Sequence, residues 1–281
     1  MSPLLEVRDV VRAYRLPRTG LIGRSPRRRA LDGVSLRIEA GQCLGLVGES
    51  GSGKSTLART VMGVEPPDAG SVRLMGRELY ALPAAELRGL RRHFQMVFQD
   101  PDGSLDPRQK IGRIVAEPLH VLSLGRAEAQ GRVAGALEAV GLGAGMAERY
   151  PHELSGGQRQ RVAIARALVT EPGLVVADEP VSALDMSVQA QVLALMLDLK
   201  RRLGLAFLLI SHDLAVVAHM AERVAVLKDG RIVEEGETQA VLRRPRHPYT
   251  RQLLAATLPA DPVRARAALL RAGEPVRPPS A

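Results

Sequence analysis

The nine residues Gly48-Glu49-Ser50-Gly51-Ser52-Gly53-Lys54-Ser55-Thr56 combine glycine spacing and a lysine followed directly by two hydroxyl residues in a pattern suited to phosphate chemistry. Three glycines let the backbone curl until its N–H groups point into a cavity the size of a phosphate. A helix beginning near Lys54 would add the positive end of its dipole at the same point. Lys54 would reach the outer phosphates of a nucleotide, and the Ser55 hydroxyl would ligate Mg²⁺. A flexible Gly/Ser turn that merely precedes Lys-Ser is the alternative, and it leaves the agreement of strand, glycines, lysine and hydroxyl unexplained. A second element is the apolar run Leu174-Val175-Val176-Ala177, which ends in Asp178-Glu179. A buried strand would deliver Asp178 to the site, where it holds Mg²⁺ directly or through water. Glu179, one residue on, is placed to orient and polarise an attacking water as a general base. The pair could instead cap the next helix, but Pro180 and Ser182 already supply helix-start chemistry.

The third element is Leu154-Ser155-Gly156-Gly157-Gln158, followed by the amphipathic stretch from Arg159 to Leu168. On its own it is either a plain helix N-cap or a second small anion cradle, with the Ser155 hydroxyl and the Gly156 and Gly157 N–H groups at a helix start. Two cradles in one chain suggest that each serves a different end of a nucleotide.

These residues need elements to position them. Leu4 to Val11 reads as a strand, as does the alternation of Val34, Leu36 and Ile38 with polar neighbours. A Pro/Gly/Arg-rich loop from Pro17 to Arg29 separates them. The short apolar run Cys43 to Val47 leads into the glycine loop, and a helix is expected from Lys54 to Met62. Leu174 to Ala177 and Ala206 to Ile210 read as buried strands of a parallel sheet. Residues from about 107 to 170 carry no strand pattern and predict a helical insertion within an α/β core. Arg223 to Leu227, Asp229-Gly230 and Arg231 to Glu234 form a hairpin signal. Five prolines from Pro259 onward predict a poorly ordered tail over 259–281.

Composition narrows the function. A chain of 281 residues with 46% hydrophobic and 25% charged residues is globular rather than disordered. No apolar run reaches the roughly 20 residues that span a bilayer, and no basic, apolar, small-residue leader opens the sequence. Cys43 is the only cysteine, which excludes an intramolecular disulfide or an all-cysteine metal or iron–sulfur site within this chain. The net charge of +9 is concentrated at the ends: eight arginines face Glu6 and Asp9 in residues 1–30, and eight face Asp261 and Glu274 in residues 243–281. The body between them is slightly acidic. Solvated arginine segments account for this first, an anionic membrane surface second, and nucleic acid last. The absence of Trp and an aromatic content of 2% also speak against base stacking. Arg24 and Arg27 to Arg29 are expected either to dock near anionic lipid headgroups or to cover a pocket beside Tyr14.

Taken together, the motifs resemble those of the ATP-binding subunits of ABC transporters, whose signature is the pentapeptide Leu154 to Gln158. The resemblance covers about residues 4–256. It implies a P-loop NTPase α/β core with an N-terminal antiparallel β-subdomain and an inserted helical subdomain at about 100–170, within one domain over 1–258. It implies ATP and Mg²⁺ as cofactors, with Mg²⁺ held by Ser55, Gln99 and Asp178. Gln99, in Phe98-Gln99-Asp100, is similar to the Q-loop glutamine, and Ser182-Ala183-Leu184-Asp185 to the D-loop. His212, beyond the third apolar strand, is similar to the switch histidine that contacts the γ-phosphate, and Tyr14 to the aromatic that stacks on adenine. An ordinary strand-end tyrosine is the other reading of Tyr14. The signature would close on the ATP of a second ATPase subunit, its own copy or a homologue, in a head-to-tail dimer. Two transmembrane permease subunits and an extracytoplasmic solute-binding protein would complete the assembly at the cytoplasmic face of a bacterial inner membrane.

Gln95 to Pro101, Ser104 to Arg108, Ala177 to Asp185 and Arg246-His247-Pro248-Tyr249-Thr250 resemble importers of oligopeptides, dipeptides and nickel. Many such relatives carry several C-terminal cysteines, which this chain lacks. The expected function is ATP hydrolysis driving import of oligopeptides or dipeptides, with nickel or another small solute as the alternative. A soluble ABC ATPase acting on nucleic acid or ribosomes would need coiled-coil, zinc-ribbon or tandem-cassette features that are absent here.

Overall fold

A computed structural model describes residues 3–15 and 27–257. Its strands are β1 (Leu5–Arg15), β2 (Arg27–Ile38), β3 (Cys43–Val47), β4 (Ala69–Leu74), β5 (Arg77–Glu78), β6 (Phe94–Val97), β7 (Leu174–Asp178), β8 (Ala206–Ile210), β9 (Arg223–Lys228) and β10 (Arg231–Glu237). The helices are α1 (Lys54–Val61), α2 (Ala84–Leu90), α3 (Pro101–Ser104), α4 (Ile111–Ala116), α5 (Arg126–Ala139), α6 (Gly156–Leu168), α7 (Met186–Leu203), α8 (Leu214–Met220), α9 (Thr238–Arg243) and α10 (Pro248–Thr257).

Two sheets result. A six-stranded sheet runs β10-β9-β3-β8-β7-β6, parallel except for the β9–β10 hairpin. A four-stranded antiparallel sheet runs β2-β1-β4-β5. The central strands are apolar throughout except for Asp178 at the end of β7, because both faces of a parallel sheet are covered. Their side chains alternate between two cores. Leu44, Leu46, Leu174, Val176 and Leu208 pack with β1, β2, β4 and α1. Cys43, Val47, Val175, Ala177, Phe207 and Leu209 pack with helices on the opposite face. Between β6 and β7 the described chain forms helices only, and α6 packs against α4 and α5.

The structure differs from expectation in three places. Arg27 to Arg29 belong to β2, not to a loop: Tyr14 pairs with Arg28 and Ala13 with Arg29, so β1 extends to Arg15. Backbone pairing overrode a composition that reads as irregular. Strands β4, β5 and β6 carry too little apolar alternation to stand out, and they pair along neighbours that are already in place. Helix α7 starts at Met186 rather than at Ser182, because the Asp185 carboxylate accepts the N–H groups of Ser187 and Val188 at 3.1 Å each. The expectations for Arg24 and for the tail over 259–281 fall outside the described residues.

Gly45, at the centre of β3, lets α8 lie directly on the sheet. A Cβ there would come within 2.4 Å of Val217 Cγ1 and 3.3 Å of the Ala221 Cβ. Gly45→Ala should therefore destabilise the protein by about 1–3 kcal/mol through overpacking. Urea denaturation reads this as a lower midpoint at unchanged slope, and an unchanged midpoint would contradict the close packing.

Candidate functional site

Parallel strands all end on the same side, so the chemistry they carry converges at their carboxyl ends. Backbone bonds knit these ends together. The Glu179 N–H donates to the Ile210 carbonyl at 2.9 Å, and the Ser211 N–H to the Leu46 carbonyl at 3.2 Å. The loop after β3, Glu179 at the end of β7 and His212 after β8 thus meet in one cleft of about 730 Å³, and Asp178 lies beside it next to Gln99. Tyr14, Arg28, Ser50, Gly51, Lys54, Ser55, Gln99, Glu179 and His212 lie along its walls. That volume falls in the range of ordinary small-molecule sites.

Lys54 is buried, and its Nζ donates to the carbonyls of Gly48 at 2.7 Å and Glu49 at 2.9 Å. Burial pushes its ammonium below the usual lysine range, while Glu179 and Asp178 pull it back up. Gly53 has φ 113°, and a Cβ there would sit 2.2 Å from the Ala30 carbonyl oxygen of β2, so only glycine fits. Its neighbour Lys54 opens α1.

Asp178 accepts a hydrogen bond from Ser55. Burial raises its carboxyl above the ordinary range, and Glu179 raises it further, against Ser55 and Lys54. Glu179 adopts φ 47°, a left-handed backbone uncommon for a non-glycine residue. One of its oxygens accepts from Gln99 Nε2 at 3.0 Å, and the other lies 3.0 Å from His212 Nδ1. The general-base candidate is thus gripped from two sides.

Other expected residues take up different posts. Gly48 and Glu49 build the loop through their carbonyls, and the Glu49 N–H donates to the Tyr249 hydroxyl at 3.0 Å rather than into the cleft. Ser52 is buried, with its carbonyl accepting the Gly230 N–H at 2.9 Å. Thr56 lines the cleft. Tyr14 also lines it, and its hydroxyl is hydrogen-bonded to Glu65 with the Arg12 guanidinium over the ring.

Leu154 to Gln158 do not line this cleft. Ser155 caps α6 and trades hydrogen bonds with Gln158. A Cβ on Gly157 would meet Val188 Cγ1 at 2.5 Å, and one on Gly156 would meet Leu184 Cδ2 at 3.5 Å, so this turn packs on the segment that opens α7. Within that segment, Ser182 Oγ donates to the Glu179 carbonyl at 3.1 Å, and Ala183 leads to the Asp185 cap.

Arg28, for which covering a pocket beside Tyr14 is one of the two expected posts, stands in the wall of the cleft with Tyr14. Its guanidinium donates to the Gly51 carbonyl at 3.4 Å. Only its pairing opposite Tyr14 across β1 and β2 brings it there. For this residue the structure favours covering the pocket over docking at lipid.

With this sheet order and loop the molecule is a P-loop α/β protein. A family model described as ABC transporter matches residues 31–182, and one described as oligopeptide/dipeptide transporter, C-terminal region, matches 233–278. The chain is 47% identical over 264 residues to the oligopeptide transport ATP-binding protein of Mycobacterium tuberculosis, covering 94% of this chain and 43% of that protein. It is 48% identical over 283 residues to a putative peptide import ATP-binding protein of Brucella ovis, covering 99% and 87%. It superposes with TM-score 0.72 and 30% identity on an ATP-binding cassette in a dimeric post-hydrolysis state bound to ADP and Pi, covering 83% of this chain and 98% of that one. The chain belongs to the ABC transporter family. It spans less than half the length of the mycobacterial relative.

The buried carboxylate gives a test by stability. A carboxyl raised by burial disfavours the folded state when ionised, and the penalty vanishes once pH falls below the ordinary aspartate value near 3.8. Asp178→Asn should therefore raise the melting temperature of the nucleotide-free protein at pH 7. The gain should shrink as the pH is lowered towards 4; a gain that is constant with pH would show that charge is not its cause.

Proposed function

We propose that this chain binds and hydrolyses ATP and that hydrolysis drives import of oligopeptides or dipeptides through a membrane transporter. The observation that carries this reading is the meeting of Lys54, Ser55, Asp178, Glu179, Gln99 and His212 at the carboxyl ends of the parallel strands β3, β6, β7 and β8. The peptide class rests on the match of residues 233–278 and on the names of the relatives.

In this reading the loop from Gly48 to Thr56 receives the phosphates, with Lys54 turning from loop carbonyls to phosphate oxygens. Tyr14 and Arg28 border the far end of the cleft, where the base would lie. The donors for Mg²⁺ are all oxygen: the Ser55 hydroxyl, the Asp178 carboxylate and the Gln99 amide carbonyl, a set suited to a hard cation. A cation also fits electrostatically, since Asp178 and Glu179 repel each other in a buried setting. When bound, Mg²⁺ neutralises charge building up on the phosphates. Glu179 withdraws a proton from water, and Gln99 and His212 orient its carboxylate.

The signature turn lies outside its own chain's cleft, which supports a head-to-tail dimer in which Ser155 and Gly157 close on the partner's ATP. No described helix is long and apolar enough to cross a membrane. In the proposed assembly, two permease subunits dock beside Gln99, where Phe98 is exposed. A solute-binding protein serves the outer side, and this chain works at the inner face of the bacterial membrane.

Glu179→Gln should bind ATP normally and hydrolyse it about 10²–10⁴-fold more slowly, so that ATP-bound dimer accumulates on size exclusion. Turnover near that of the unaltered protein would remove the base assignment. Ser155→Arg should leave ATP binding by the monomer intact while abolishing dimer closure and hydrolysis. Monomer binding that fell as far as in Lys54→Ala would mean that both cradles serve one chain.

A further inference from the structure

The phosphate loop is held from outside by a residue two hundred positions away. On β10, Glu234 accepts the N–H groups of Arg246 at 2.8 Å and His247 at 3.0 Å, which fixes the turn before α10. Burial works to raise the Glu234 carboxyl, but the Arg246 N–H, the Thr250 hydroxyl and the His247 N–H together outweigh it and the net shift is downward, so the carboxylate is a firm anchor. His247 Nδ1 then accepts the Tyr249 N–H at 3.2 Å. The Tyr249 side chain is buried at 3% exposure, and the Lys228 ammonium lies 4.8 Å from its ring centre. Its hydroxyl ends on the N–H of Glu49. The carbonyl of the same residue accepts Lys54 Nζ and, at 3.2 Å, the Ser52 N–H. Glu49 is therefore clamped between α10 and the lysine.

We propose that Tyr249 is a positioning residue of the nucleotide site: its hydroxyl fixes the Glu49 backbone and so presets the loop carbonyls that hold Lys54. The proposal rests on the reading of residues 48–56 as the ATP loop. It gives the C-terminal segment, which the oligopeptide/dipeptide transporter model covers from residue 233, a direct hold on the phosphate cradle. Without the hydroxyl, the Glu49 N–H loses its partner at a partly buried position, and the loop gains conformations in which Lys54 is misplaced. Such a loss weakens binding of substrate and transition state alike, which appears in KM rather than in kcat.

The test uses the full chain with Tyr249→Phe, which keeps the ring and the Lys228 contact. MgATP binding and KM should weaken by about three- to tenfold, the effect of one hydrogen bond, with kcat changed less than about twofold. Leu254→Ala, in the core on the same helix, is the stability control: it should lower the melting temperature more than Tyr249→Phe and leave KM unchanged. Equal MgATP affinity in Tyr249→Phe and the unaltered protein overturns the proposal, as does a KM rise in Leu254→Ala matching that of Tyr249→Phe. If the unaltered chain binds no MgATP, the nucleotide reading of the loop falls as well.

Discussion

Lys54 carries an ammonium into a buried position, and a buried charge is tolerated only where oxygen atoms surround it. Those atoms are carbonyls of its own loop, so the backbone must curl back on itself within a few residues. Gly53 permits this where a side chain would strike β2. The curl also needs walls. The antiparallel sheet supplies one through Ala30, the β9–β10 turn supplies another through Gly230, and α10 supplies a third through Tyr249. Parts of the chain far apart in sequence are thus recruited to hold one cation in place. In the proposed nucleotide site an incoming phosphate would replace the carbonyls without building a site from scratch.

The acidic side of the cleft has the opposite character. Asp178 and Glu179 are neighbours at the end of β7, and burial together with the Glu179 charge pushes the Asp178 carboxyl above its ordinary range. Lys54 and Ser55 relieve this in part, and Gln99 and His212 occupy both oxygens of Glu179. Gln99 lies between β6 and α3, so its bond to Glu179 ties the start of the helical stretch to the carboxylate. Any group that draws Glu179 away from these partners also loosens that tie. In the proposed function this arrangement suits a polyanion and its cation, and the Gln99–Glu179 bond would link their binding to the helical stretch after β6.

Phosphate chemistry was legible in the sequence because the loop, the strand ending in two acids and the serine-glycine turn are each local. Their residue types and spacing fix backbone freedom, charge and helix starts without reference to the rest of the chain. The buried strands were legible for a similar reason, since four or five consecutive apolar residues have few other places to go. The family followed from the same motifs and agrees with the comparisons. Strands such as β6 were not legible, because their order comes from the neighbours they pair with rather than from their own pattern.

What only the tertiary structure decided is which distant groups touch. Arg28 reads as part of an irregular arginine-rich loop until pairing with β1 turns it to the cleft. Tyr249 reads as part of a family motif until the turn anchored by Glu234 brings its hydroxyl to the loop. Glu49 reads as a phosphate-facing residue until that hydroxyl claims its N–H. Local sequence determines what each segment can do, because propensity, charge and backbone freedom are properties of neighbours along the chain. Which of those capacities are used depends on contacts across the fold, and no spacing within a motif encodes them.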